Sequence, residues 1–152
     1  MTTTMKTYNS NLPEFKLKKT TTDFRNVKIT TSKDGADYIR QFFSDDLEIY
    51  ESFFLLLLNR ANNTIGYAKI SQGGCVGTVV DIKLIAKFAL ESLAQQVIVC
   101  HNHPSGNTQP SDADKNITQK IVNTLNLFDC KVIDHIILTK DSHFSFADEG
   151  LV

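Results

Sequence analysis

The chain is poor in the residues that build special-purpose scaffolds. Three prolines and seven glycines among 152 residues exclude a collagen-like or low-complexity chain. Its three cysteines, Cys75, Cys100 and Cys130, are odd in number and far apart, so they make a poor disulfide framework. No C-x-x-C occurs, which argues against a thiolate zinc ribbon or a redox dithiol, and leaves buried or half-buried free thiols as the expectation. Charge of one sign is missing too. Sixteen basic residues against seventeen acidic give a formal net charge of −1, so no global field holds nucleic acid or draws in an anionic membrane. The longest apolar run, residues 53–58, is far short of a membrane span. The first residues carry no apolar signal-peptide segment, and the expected compartment is the cytoplasm. With 41% apolar and 22% charged residues the composition is that of an ordinary globular domain. A chain of this length buries about two-thirds of its unfolded surface and needs no staple to fold.

Residues 1–26 stand apart. They hold seven threonines and a local charge of +3, from four lysines and Arg25 against Glu14 and Asp23. They read as a weakly structured arm, with residues 15–17 alternating as an edge strand would. Residues 27–30 read as a short strand, and Ser32 as the cap of a helix carrying Ala36, Ile39, Phe42 and Phe43. Residues 53–58 would be apolar on both strand faces, which predicts a central strand covered on both sides. A turn at residues 59–63 returns it as a hairpin through residues 64–71, followed by a loop with Gly73, Gly74 and Gly77. Asp81 caps a second helix, whose face runs Ile82, Ile85, Ala86, Ala89, Leu90 and Leu93. A buried strand at residues 97–100, a third helix capped by Ser111, and strands at residues 131–138 and 143–146 complete the pattern. Helices alternating with strands predict an α/β fold, a mixed sheet with helices on both faces.

His101 and His103 stand two apart at the carboxyl end of a buried strand, so in extended backbone both imidazoles share a face. Cys100 and Asn102 then point to the other side, which argues against Cys100 as a ligand. Asp114, eleven residues after His103, opens the third helix and can return to the histidines through the reversal at Pro104-Ser105-Gly106. Two imidazoles and a carboxylate suit Zn²⁺ and leave one tetrahedral place for water, as a catalytic site needs. Glu51, at the start of the central strand, is the candidate general base, with Glu48 an alternative that spacing does not separate from it. The Ser111 hydroxyl can cap its helix or donate to a developing oxyanion. His135, in mid-strand, is a candidate to orient the site from behind it, or a satisfied core histidine.

The spacing H-x-H-P-x₆-S-x-x-D, here His101, His103, Pro104, Ser111 and Asp114, resembles the JAMM signature of JAB/MPN metalloproteases. With His101-Asn102-His103-Pro104-Ser105-Gly106, Pro110-Ser111 and Asp134-His135-Ile136-Ile137, residues 27–152 resemble the RadC branch of that superfamily. The resemblance implies a three-layer α/β/α sandwich similar to cytidine deaminases. It implies one zinc held by His101, His103 and Asp114, with Glu51 as acid/base and Ser111 steadying an oxyanion. Longer RadC proteins carry an N-terminal helix-hairpin-helix region, and this chain looks like the short form without it. The function implied is a zinc peptidase or isopeptidase acting on a peptide or protein substrate. The competing reading is a non-catalytic module binding protein or DNA, with a nuclease ranked lower. No residue here recommends the family's DNA-repair label. Zinc deamination needs H-x-E and P-C-x-x-C, and both are absent. Oligomeric state stays open, with homodimerisation through the hairpin or the arm as one option.

Overall fold

A computed structural model describes residues 6, 11–44, 47–73 and 79–152. The elements run α1 (Ser32–Arg40), β1 (Ser52–Leu58), β2 (Thr64–Gln72), α2 (Ile82–Glu91), β3 (Gln96–Asn102), α3 (Asp112–Asn126), β4 (Lys131–Leu138) and β5 (His143–Ser145). The strands form one mixed sheet in the order β2-β1-β3-β4-β5. Among the described residues only β3 and β4 pair in parallel; β1 pairs antiparallel with both β2 and β3. The class is α/β, as expected.

All seven residues of β1 are buried, as its two apolar faces predict. Phe53, Leu55 and Leu57 pack with Val97 and Val99 of β3, Ile85 and Ala89 of α2, and Ile121 and Leu125 of α3. Leu56 and Leu58 turn to the opposite face, with Ile98 and Cys100 of β3, Ile136 and Leu138 of β4, and Ala36 and Ile39 of α1. The period of two along each strand thus divides one apolar sheet between two helical layers. Gly35 of α1 lies so close that a Cβ there would meet Ile136 Cδ1 at 3.1 Å, tighter than ordinary contact.

Several local expectations change. The cap of α1 is Thr31, one residue before Ser32: Thr31 accepts the Asp34 N–H and Asp34 accepts the Thr31 N–H, a closed capping box. Ser32 is released to donate to Asp148 at 2.6 Å. Residues 27–30 make a single bridge, Lys28 to Asn63, because they face the hairpin turn and β2 begins only at Thr64. Residues 15–17 form no strand, and Phe15 is 91% exposed. Two alternating apolar side chains bury too little to offset the entropy of ordering them. Leu93 falls off the α2 face, beyond the Ser92 cap and at φ 56°, and is 82% exposed. Gly74, Cys75 and Gly77 of the expected glycine loop lie outside the described residues. No helix of the described residues is long and apolar enough to cross a membrane.

Candidate metal centre

Register delivers the site. Phe53 pairs with His101 across β1 and β3. Carried two residues past the ladder, the same register sets Glu51 level with His103. His101 follows Val97 and Val99 onto the face that α3 covers. On that face the first turns of α3 present Asp114 and, one turn later, Thr118.

The groups converge. His101 Nε2 and His103 Nε2 are 2.9 Å apart. One Asp114 carboxylate oxygen lies 3.3 Å from His101 Nε2 and the other 3.3 Å from His103 Nε2. Glu51 Oε1 stands 3.9 Å from His101 Nε2. Donor atoms of Glu51, His101 and His103 lie within 4.8 Å of one another, a group able to hold a metal ion. His103 Nδ1 is 2.6 Å from the Asn107 carbonyl, which can only accept, so that nitrogen carries the proton. The Nε2 lone pair of His103 therefore faces the other donors. A carboxylate and imidazole lone pairs this close repel one another unless a cation or proton lies among them, and nitrogen with oxygen suits zinc.

The electrostatics agree. Burial opposes ionisation of Asp114, but the adjoining His101 and His103 imidazoles and the Ser111 N–H hold its carboxyl well below the usual carboxylate range, as a proton or cation shared among these groups would. The Asp114 carboxylate and the Asn107 carbonyl raise His103, against a smaller opposing effect of burial. Ser111 caps α3 by accepting the Asp114 N–H at 3.0 Å, while its own N–H goes to Asp114 at 2.8 Å. The serine hydroxyl proton is left to point elsewhere. Glu51, both histidines, Ser111 and Asp114 line a cleft together with Phe53, Val80 and Ile117. Glu48 is not there: it pairs with Lys140 at 3.7 Å on the surface.

His135 is fully buried behind His101, with His135 Nε2 2.8 Å from His101 Nδ1. His135 Nδ1 is 2.5 Å from the Thr118 hydroxyl, and the ring stacks on Phe146 at 4.5 Å. Burial holds it well below the ordinary imidazole range, hence neutral. It is thus both a satisfied core histidine and a partner of the site. Cys100 lies on the opposite face, its thiol pushed well up by burial, and does not join the donors.

Two residues of the site escape a reading of the sequence. Asn102 is fully buried on the α1 side. Its Oδ1 accepts the Ser52 N–H at 2.7 Å, and its Nδ2 donates to the carbonyls of Leu47 at 2.6 Å and Tyr50 at 2.7 Å. It clamps the backbone on both sides of Glu51. Thr118 is legible in principle, four residues after Asp114 on the same helix face. Asn102 carries no such signal, because its partners are backbone groups some fifty residues away.

An α/β sheet with two histidines and two carboxylates gathered at one strand end defines a protein with a candidate metal centre. Residues 29–151 match the RadC-like JAB domain. The chain belongs to that family. It is 47% identical over 124 residues to a UPF0758 protein of Flavobacterium johnsoniae, covering 82% of this chain and 53% of that one. It is 39% identical over 128 residues to a UPF0758 protein of Coprothermobacter proteolyticus, covering 83% and 54%. It is 43% identical over 102 residues to the UPF0758 protein YfjY of Escherichia coli, covering 67% and 64%. The chain spans little more than half the length of the first two.

Proposed function

We propose that this domain is a zinc-dependent hydrolase that cuts peptide or isopeptide bonds in a protein substrate. The observation that carries the reading is the meeting of His101 Nε2, His103 Nε2 and both Asp114 oxygens within 3.3 Å, with Glu51 standing back at 3.9 Å. The nearer carboxylate is the ligand and the farther one is free for proton transfer. Zinc, when held by His101, His103 and Asp114, supplies a Lewis acid and an acidified water. Glu51 takes a proton at its carboxylate and returns it to the leaving amine. The Ser111 hydroxyl, already an acceptor through its cap, donates its proton to the substrate oxygen as charge builds there. Phe53, Val80 and Ile117 set apolar wall beside these polar groups, and the lower local dielectric strengthens each of these interactions. The proposed compartment is the bacterial cytoplasm. A non-catalytic module binding protein or DNA remains the second reading, and a net charge of −1 gives the DNA version no support.

The test joins elemental mass spectrometry with hydrolysis of peptides and ubiquitin-like conjugates. We expect about one zinc per chain in the wild type. The Glu51→Ala variant should keep its zinc and lose turnover by at least about 100-fold. A wild type without zinc, or hydrolysis indifferent to Glu51→Ala, overturns the reading.

A further inference from the structure

We infer that the Thr118 hydroxyl sets the direction of a proton chain, Thr118–His135–His101, that turns the bare Nε2 of His101 toward the metal centre. Thr118 is therefore a positioning residue, one helical turn behind Asp114. Donors and acceptors alone fix the order. Thr118 Oγ1 lies 2.6 Å from the backbone carbonyl of Asp114. Two oxygens at that distance repel unless a proton lies between them, and the carbonyl has none, so the hydroxyl proton is there. The hydroxyl has no second proton for His135 Nδ1 at 2.5 Å, so His135 Nδ1 must donate and the hydroxyl accept. A neutral imidazole with its proton on Nδ1 has a bare Nε2. His135 is neutral because it is sealed from water between Phe53 and Phe146. Its bare Nε2, 2.8 Å from His101 Nδ1, must then accept, so His101 carries its proton on Nδ1. The Nε2 of His101 is left as a lone pair beside His103 and Asp114. The reverse order would put a proton on that nitrogen and bar it from a metal.

α3 thus holds the centre in two ways. Asp114 faces it directly, and Thr118 acts through two rings while hydrogen-bonded to the backbone of Asp114 itself. A shift of α3 would move ligand and relay together.

The consequence for metal binding rests on the zinc reading above; the proton order does not. The experiment therefore has two arms. Long-range ¹H–¹⁵N spectra of histidine-labelled, chelator-treated protein, taken about two pH units above the ordinary imidazole pKa, report which ring nitrogen is protonated. We expect His135 protonated on Nδ1 and bare on Nε2. A proton on its Nε2 overturns the inference. In the second arm, zinc affinity is measured by competition with a chromophoric chelator. The Thr118→Val variant, which keeps the shape and removes the acceptor, should bind zinc about 10- to 100-fold more weakly. Thr118→Ser, which restores the hydroxyl, should return to within a few-fold of wild type. Wild-type affinity in Thr118→Val overturns the inference, as does failure of Thr118→Ser to recover. If the wild type binds no zinc, the hydrolase reading fails while the spectra still decide the proton order. If Thr118→Val does not fold, the spectra and Thr118→Ser decide it.

Discussion

α1 and α3 begin in the same way. Each opens on a hydroxyl residue in extended backbone followed three positions later by an aspartate, Thr31 with Asp34 and Ser111 with Asp114, and each closes a capping box. The two aspartates nevertheless differ. Asp34 spends one carboxylate oxygen on the N–H groups of Thr30 and Thr31 and on the Thr30 hydroxyl, all within four residues of it. Asp114 gives one oxygen to the Ser111 N–H and stands between two imidazoles besides. One motif serves a helix start in the first case and a candidate metal ligand in the second. What separates them is where the helix begins. Asp114 is set down beside the end of β3, whereas Asp34, in the first turn of α1, has its carboxylate taken up by Thr30 and Thr31.

The strongest way to break this comparison is to remove each aspartate. Asp114→Ala should abolish zinc binding measured by elemental mass spectrometry, and Asp34→Ala should leave it at the wild-type level. Equal metal content in both would mean that Asp114 is a cap and nothing more. His103→Ala should match Asp114→Ala.

Asn102 sharpens the comparison from the strand side. Unlike its neighbours His101 and His103, it has every polar group matched internally. Asn102→Ala leaves one buried N–H and two half-buried carbonyls without their partner, a loss of about 3 kcal/mol. Thermal denaturation should show a fall of roughly 6–12 °C. An unchanged melting temperature would remove Asn102 as the clamp on Glu51.

The caps come next. Thr31→Ala and Ser111→Ala should each cost about 1 kcal/mol in denaturant titrations. Only Ser111→Ala should also weaken zinc affinity, since it alone loosens the turn that aims Asp114. Parallel effects on metal binding would erase the distinction.

Acidity gives the smallest effect. The folded protein raises His103 chiefly through Asp114, so in chelator-treated protein their pairing stabilises fully below pH 6.5. That contribution fades as pH rises through the raised value of His103. Burial lowers His135, so its contribution has the opposite sign and is lost as pH falls below 6.5. Melting curves of wild type and His103→Gln from pH 5 to pH 9 should therefore converge toward the alkaline end. A constant difference would mean that the pairing contributes nothing. Asp34 has no histidine partner, and Asp34→Asn should show no change across that range.

Much of this fold and site is legible in the order of the residues. The apolar run at residues 53–58 announces a strand buried on both faces, and the alternation through Cys100, His101 and Asn102 separates the face that carries the site from the opposite one. Spacing does not tell Glu51 from Glu48, because three residues of turn send one to the cleft and the other to Lys140. Thr31 and Ser32 are adjacent and both have capping side chains, and only the closed box with Asp34 favours Thr31.

By itself the sequence determined periodicity, the residue types that cap helices and the donor types, since each depends on neighbours within a turn or a strand repeat. Tertiary structure alone decided which carboxylate meets the histidines, which aspartate is more than a cap, and which way the protons run along Thr118, His135 and His101. Those choices depend on oxygen and nitrogen atoms brought within 2.5–3.9 Å by strand register and helix docking, across separations of up to fifty residues in the chain. Local propensity carries no information about distances of that kind.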